Sequence, residues 1–366
     1  MVSVVTSDSR AVTPGAVFVA IRGEKSDGHR YVEDAFARGA ALAIVERGEV
    51  LAGRPGVIVA DGRVALSRLA ALFAGEAARQ MTVIGITGTN GKTTTNWLLY
   101  HALRAQGCRP LRIGTLGMYA EEGISLPGDL TTPGAEQIHR VLAQAFGLNC
   151  RSCVIEASSH ALQQHRLDDM AFDVALFTNL TRDHLDYHKD MESYYRAKMR
   201  LFELLEQQGK GKRLALVNVD NQEGQRLYRD LVGRNLTVRG FGVEEDAWLR
   251  IEEFGQTIGG SVVRLAVDVA GSGVERAEVR SPLIGAHNAQ NIAGAAAVLV
   301  GLGSTLTEAA MHLSAAPAVP GRLPGTGDAL LVPAEQTEGR RAFRSNARTA
   351  RQRQFHPPPA LVVLHG

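Results

Sequence analysis

Apolar positions in the first eighty residues come in short runs, at 17–21, 41–45 and 57–60, separated by polar turns and followed by an Ala/Leu-rich stretch at 64–78. Short apolar runs between turns predict strands and the longer stretch predicts a helix, so this region reads as a compact α/β unit. From Met81 the pattern becomes strand, loop, helix, repeated: an apolar run at 81–86, a helical stretch at 93–106, strand-like runs at 152–155, 174–177 and 214–217, and a helical stretch at 192–205. Such alternation implies a mostly parallel sheet with helices on both faces, whose ligands gather at the carboxyl ends of the strands. Between 247 and 280 the period shifts to two, at 261–267 and 274–279, which predicts an antiparallel addition before an Ala-rich helix around 291–300. No core-forming periodicity is present after Arg322. The expected organisation is therefore a front α/β domain over 1–80, a central nucleotide domain over 81–322 and an irregular, disordered tail over 323–366.

Composition narrows the class of protein. The chain has 366 residues, 45% hydrophobic and 21% charged, which is ordinary for a globular protein of two or three domains. Lys plus Arg number 40 against 38 for Asp plus Glu, so the global charge gives no reason to expect nucleic acid or an anionic membrane as partner. Apolar runs stop short of a membrane span and the N-terminus lacks a signal pattern, which predicts a cytoplasmic protein. Six Arg between 340 and 353, with no acidic residue among them, could bind RNA or anionic lipid, but without interleaved aromatics they read as a solvated segment. Cys108, Cys150 and Cys153 are the only cysteines; the last two form a CxxC with no second pair. They read as ordinary thiols, with a metal or redox site as the alternative.

The chemistry starts at residues 85–95, GITGTNGKTTT. An apolar strand running into a Gly-rich turn and a Lys-Thr pair at a helix start is a phosphate cradle. Gly88 and Gly91 let the N–H groups of Thr89, Asn90 and their neighbours face one concavity. Lys92 supplies a charge for β/γ-phosphates, Thr93 offers a hydroxyl to Mg2+, and Thr94 continues the helix start. Ile86 stands where the longer pattern has its first Gly, so the match is to the shorter GxxGKT form.

Two further clusters belong with this loop, and a third residue is ambiguous. Glu156 ends the 152–155 strand and opens EASSH, placing a carboxylate where a second hard oxygen ligand for Mg2+ would serve. The stretch FTNLTRDHLDYH follows another strand, so His184, Asp183 and Asp186 are candidates for the same crevice or for a structural cluster. Lys198, one helical turn beyond Tyr194, reads in isolation as a solvated surface group.

Taken together, GTNGKTTT, Thr131-Thr132-Pro133, EASSH, NLTRDHLDYH, Tyr195-Arg-Ala-Lys198 and Gly285-Ala-His-Asn288 with Asn291 resemble, in order, the motifs of the Mur ligases. The front segments Asp8-Ser9-Arg10, Pro14-Gly15, Asp27-Gly28-His29 and Tyr31 resemble the uridine-binding domain of the member that adds a diamino acid to UDP-N-acetylmuramoyl-L-alanyl-D-glutamate. That resemblance implies ATP and Mg2+ as cofactors and peptidoglycan precursor synthesis as the setting. It implies Thr93, Glu156, His184 and a CO2-derived carbamate on Lys198 (N6-carboxylysine) as metal ligands, with Lys92, Glu156, His184 and Lys198 as the catalytic set. Ser9, Thr131, Thr132, Ser158, Gln164 and Arg166 would contact the UDP-precursor, and Asn288 and Asn291 adenine. The implied reaction activates the D-glutamyl carboxylate as an acyl phosphate, which an amine then displaces.

One departure qualifies this expectation. In the family, the segment matching Pro320-Gly321-Arg322 leads into a Rossmann-like C-terminal domain with DYAH and DNPR motifs, and neither motif occurs here. That domain is expected to be absent, and with it the diamino-acid site. Two readings stay open: a ligase by descent, or a non-catalytic module that binds nucleotide and UDP-precursor, alone or with a partner domain. A folate-type relative is a third, disfavoured by the DSR and DGH segments.

Overall fold

The computed structural model of the chain describes residues 2–23, 26–181, 190–257, 259–269 and 273–320. Near the N-terminus β1 (Val5–Thr6), β2 (Val17–Val19), β3 (Leu42–Val45) and β4 (Gly56–Ile58) pair in sequential order as a four-stranded parallel sheet. The Gly62–Phe73 helix covers one face through Leu66, which packs on Val5, Val17, Val19 and Ile44. This helix begins where Asp61 accepts from the N–H groups of Arg63 and Val64 at 2.7 and 3.1 Å. It is shorter than the 64–78 stretch expected. Gly75 and Glu76 adopt left-handed backbone (φ +67 and +50), and a separate 3₁₀ turn, Ala77–Gln80, follows.

The remaining strands form a second sheet of eleven. They are β5 (Thr82–Thr87), β6 (Pro110–Gly114), β7 (Gly117–Ala120), β8 (Ile124–Leu126), β9 (Ser152–Glu156), β10 (Val174–Phe177), β11 (Leu214–Asn218), β12 (Thr237–Gly242), β13 (Leu249–Thr257), β14 (Gly260–Val269) and β15 (Gly273–Ser281). Their order is β15-β14-β13-β12-β11-β10-β5-β9-β6-β7-β8. The middle is parallel and both ends are antiparallel hairpins. The fold is thus mixed α/β with a mostly parallel sheet, as the pattern predicted.

Both faces of the central strands are buried, which is why they read as continuous apolar runs. Val83, Ile155, Ala175, Phe177 and Val217 point into one core with the Ala135–Gly147, Met191–Gln208 and Gln222–Leu231 helices. Ile84, Ile86, Val154, Leu176 and Leu216 point into the other, with the Lys92–Ala105, Ala286–Leu302 and Leu306–Ser314 helices. Three of these helices were not expected from the sequence. Gln222–Leu231 buries only Gly224, Leu227 and Leu231, too few apolar positions to announce it. Leu306–Ser314 did carry a legible start signal, the Thr305/Glu308 capping box.

The strand order fixes where a site can form. From β5 the chain crosses to β6, inserts β9 between them, then passes to β10 on the far side of β5. The winding reverses at β5, opening a crevice at the carboxyl ends of β5, β9 and β10. Among the described residues no helix is long and apolar enough to cross a membrane.

His139, on the Ala135–Gly147 helix, is buried with neither ring nitrogen hydrogen-bonded among the described residues, and desolvation pushes its pKa down to about 4. The folded chain keeps it neutral while the unfolded chain protonates it below about 6.5, so stability falls as pH drops from there toward 4. At pH 5 the loss attributable to this residue is on the order of 2 kcal/mol. His139→Leu should abolish that part of the decline between pH 7 and pH 5 in urea unfolding. Parallel declines in parent and variant would refute the assignment.

Candidate functional site

The loop between β5 and the Lys92–Ala105 helix depends on two glycines. Gly88 (φ +153) and Gly91 (φ +88) hold backbone that L side chains rarely adopt. A Cβ on Gly88 would collide with Thr178 Oγ1, and one on Gly91 with Asn291 Oδ1. The segment following β10 braces the turn. Thr89 N donates to Asn179 O at 2.9 Å, Asn90 N donates to Asn179 Oδ1 at 2.9 Å, and Thr178 Oγ1 donates to Asn90 O at 2.6 Å. Lys92 Nζ donates to the carbonyls of Gly88 and Thr89 at 2.7 and 2.9 Å. Below the loop, Asn96 staples the helix to the sheet by donating to Ile113 O and Val154 O, each at 3.1 Å.

Glu156, the last residue of β9, shares the Val154 face of the sheet and so meets the first turn of that helix. It is 1% exposed. Thr93 Oγ1 donates to its Oε2 at 2.9 Å, Thr115 N to its Oε1 at 2.9 Å, and Thr115 Oγ1 lies 3.2 Å from Oε2. Burial pushes the carboxyl pKa up, opposed by the Thr115 N–H, the Thr93 hydroxyl and the Lys92 charge. Gly114, beside it on β6, leaves the space the carboxylate occupies, because a Cβ there would strike its Oε1 and Cδ.

The residues expected to contact the UDP-precursor continue this network. Thr131 Oγ1 is 3.1 Å from Thr115 Oγ1. Thr132 Oγ1 donates to Glu156 O at 2.7 Å and accepts from Ser158 N at 3.1 Å. Arg166 donates through Nη1 to Thr132 O at 2.7 Å and through Nε to Gln164 Oε1 at 3.1 Å. Ser158 also caps the Ser159–Gln163 helix, accepting from Ala161 N at 3.3 Å. Ser9 lies in the front sheet's 3₁₀ turn Ser9–Ala11, buried. Two residues before it, Ser7 donates through N and Oγ to Glu136 Oε1 at 3.1 and 2.7 Å, tying the front sheet to the helix that follows the Thr131-Thr132 wall.

Lys198 arrives from the opposite face of the sheet, on the Met191–Gln208 helix. It is 2% exposed, not the solvated group that the residue suggests in isolation. Its Nζ lies 4.3 Å from the Tyr194 ring centroid, and Tyr194 Oη lies 3.1 Å from Thr89 Oγ1 in the loop. Position 198 falls on the stripe of Tyr194, Leu201 and Leu205, a periodicity that could have revealed its burial. His184, with Asp183 and Asp186, lies outside the described residues.

A cavity of about 510 Å³ opens over the loop, lined by Thr89, Asn90, Gly91, Lys92, Thr93, Thr115, Thr131, Glu156, Asn179, His287 and Asn291. Thr94 is buried in the helix start behind it. Asn291 reaches the cavity; Asn288 does not line it, and instead donates to Ile284 O at 2.8 Å and accepts from Asn291 Nδ2 at 3.0 Å. Thr115, Asn179 and His287 were not singled out in the sequence. The first comes from a hairpin turn and the others sit inside recognised motifs. Among the described residues no group of three or more His, Cys, Asp or Glu could hold a metal. Cys150 and Cys153 are buried free thiols, their pKa values raised by burial.

A glycine-turned phosphate loop at the switch point of a parallel sheet, with a carboxylate at the neighbouring strand tip, defines a P-loop α/β protein. The chain belongs to the Mur ligase family. A model of the Mur ligase middle domain matches residues 86–299, and one described as the Mur ligase family catalytic domain matches residues 1–74. The chain is similar to UDP-N-acetylmuramoyl-L-alanyl-D-glutamate–2,6-diaminopimelate ligases of Geobacter sulfurreducens, at 40% identity over 86% of this chain and 61% of the relative, and of Xylella fastidiosa, at 39% over 88% and 64%. It therefore spans about three fifths of the length of these curated relatives. A solved structure of a ligase with that name superposes with a TM-score of 0.78 at 26% identity, covering 90% of this chain and 65% of the other. A ligase of Thermotoga maritima in complex with ADP shares the fold, with a TM-score of 0.59 at 23% identity over 87% of this chain and 67% of the other.

Gly114→Ala should push the Glu156 carboxylate off its donors and destabilise the chain by on the order of 2 kcal/mol. An unchanged urea midpoint would show that the carboxylate does not need that space.

Proposed function

We propose that the chain carries the nucleotide- and UDP-precursor-binding parts of an ATP-dependent ligase that joins a diamino acid to UDP-N-acetylmuramoyl-L-alanyl-D-glutamate in peptidoglycan precursor synthesis. The observation that carries this is the continuous network from Thr93 in the phosphate loop through Glu156 and Thr115 to Thr131, which supports a reading in which a triphosphate and a carboxylate substrate lie side by side. The names of its relatives favour 2,6-diaminopimelate as the amine.

The first step joins two anions. An oxygen of the D-glutamyl carboxylate attacks the γ-phosphorus, the bond to the bridging oxygen breaks, ADP departs and an acyl phosphate remains. Lys92 and the N–H groups of the helix start beyond Asn90 neutralise charge on the phosphates, those of Thr89 and Asn90 being given to Asn179, while Thr131, Thr132, Ser158, Gln164 and Arg166 orient the carboxylate for in-line attack. Glu156 and Thr93, hard oxygens 2.9 Å apart, fit Mg2+, which when bound supplies positive charge against the phosphate oxygens. The amine then attacks the acyl carbon, phosphate leaves, and the amine nitrogen gives up a proton.

Lys198 has a separate role in this reading. The ammonium group first gives up a proton, and the free amine then adds to the carbon of CO2 and loses a second proton, leaving a carbamate whose oxygens would hold the metal together with Glu156, Thr93 and His184. Its burial supports this, since such a lysine lacks the water that solvates an ammonium ion. Asn288 and Asn291 are assigned to the adenine side. The two family models, matching 1–74 and 86–299, support a division into a front and a central domain; we assign UDP binding to the first, ATP binding to the second, and the cytoplasm to the whole.

The test needs no amine. With ATP, Mg2+ and the UDP-precursor, hydroxylamine should trap the acyl phosphate as a hydroxamate. Lys92→Ala should reduce this to background while the UDP-precursor still binds in calorimetry; loss of both together would contradict the division of labour, and precursor binding without hydroxamate in the parent would identify a binding module. For Lys198, 13C-bicarbonate should give a carbamate resonance that Lys198→Ala lacks. No such resonance in the parent would remove the carbamate from the mechanism.

A further inference from the structure

Next to the phosphate loop, one face of a short hairpin carries groups that the proposed reaction does not use. Arg112, on β6, lies directly across from Tyr119 on β7 and shares the sheet face of Gly114 and Glu156. Its guanidinium carbon sits 5.3 Å from the Tyr119 ring centroid, 5.4 Å from Trp97 and 5.9 Å from Tyr100, the last two on the phosphate-loop helix. Three rings around one half-buried cation are an expensive arrangement to hold by chance, since the guanidinium gives up hydration and its Nε finds no hydrogen-bond partner among the described residues. The bond it does make goes to the turn: Nη1 donates to Leu116 O at 3.1 Å.

That turn is Thr115-Leu116, the two residues between paired Gly114 and Gly117. Thr115 presents its N–H and hydroxyl to Glu156 and its hydroxyl to Thr131. With its neighbour's carbonyl held from below, the turn cannot roll away from the carboxylate. Arg112 is also close enough to Glu156 for their charges to interact.

We infer that Arg112 is a positioning residue, caged by Trp97, Tyr100 and Tyr119, which sets the Thr115 turn and through it the orientation of the Glu156 carboxylate toward a nucleotide-bound divalent cation. It does not line the cavity over the loop. Its influence runs through Thr115, so its effect is confined to the metal-dependent part of binding. This inference rests on the nucleotide site proposed above.

The experiment measures ADP binding by calorimetry, with Mg2+ and with EDTA, to the full chain and to Arg112→Met, Arg112→Lys, Thr115→Val and the Arg112→Met/Thr115→Val pair. Methionine keeps the apolar volume within the ring cage and removes the fork. In Mg2+, Arg112→Met should weaken ADP by about tenfold, the range seen when groups that orient metal ligands are removed. In EDTA its affinity should match the parent. Arg112→Lys, which restores a cation over the rings and a donor for Leu116 O, should recover most of the loss. The double variant should be little worse than Thr115→Val alone, because the two residues act in series. Equal losses with Mg2+ and EDTA, or additive losses in the pair, would overturn the inference. Should Arg112→Met fail to fold, the lysine and Thr115→Val variants still decide it: Arg112→Lys weaker than Thr115→Val in Mg2+ contradicts rescue. If the parent itself shows no ADP binding with Mg2+, it is the nucleotide site that fails and not the role of Arg112.

Discussion

A carboxylate taken out of water needs donors or countercharge, or it stays protonated. Glu156 meets that constraint with three contacts from two residues and a nearby lysine, and almost every special feature around the loop serves it. Gly114 vacates the space, the hairpin turn brings the Thr115 N–H, and the start of the Lys92–Ala105 helix brings the Thr93 hydroxyl. Because the hairpin turn holds Oε1 while the helix start and the same turn hold Oε2, the carboxylate has one orientation. Burial alone would favour the neutral acid; the donors favour the anion, and a cation in the cavity would favour it further. A group balanced this way is costly in an empty scaffold and useful where positive charge is expected.

The same network reaches beyond the loop. Thr132 is joined to Glu156 by its hydroxyl and Thr131 through that of Thr115, and the helix that follows them accepts from Ser7, next to the front sheet, through Glu136. A second seam joins the sheets where Arg68, on the front helix, meets Asp169, 3.4 Å away and three residues past Arg166. The wall expected to hold the UDP-precursor is thus attached at both ends to the unit expected to hold its uridine. A substrate spanning the two could be placed against the triphosphate by rigid elements, which is how positioning lowers a barrier between two anions.

How much of this could be read from residue order depends on how local each feature is. The phosphate loop was fully legible, since its glycines, Lys92 and Thr93 act through backbone geometry within seven residues. Glu156 was legible as a strand-tip carboxylate because the apolar run before it is unambiguous. Thr115 was not, because its role exists only once β6 lies beside β9 in one register, and register between strands forty residues apart leaves no local mark. Lys198 shows the opposite failure: its helical stripe was visible, yet residue type argued for solvent and masked the periodicity. The break at Gly75 and Glu76 was missed because Ala and Leu propensity carried the helix past the residues that turn it.

Order at the loop comes from both faces of the sheet at once. Glu156 and Asn96 hold it from the side of the Lys92–Ala105 helix, whereas Tyr194, with Lys198 against its ring, reaches Thr89 from the other side. The residues after β10 close the remaining edge through Thr178 and Asn179. A turn braced on three sides pays for its orientation during folding and not during the reaction. That distinction matters for transfer between like charges, where donors must already point at the developing charge when the reactants meet. The central sheet is therefore more than a support: its winding reversal at β5 is what lets elements from opposite faces converge on four residues of backbone.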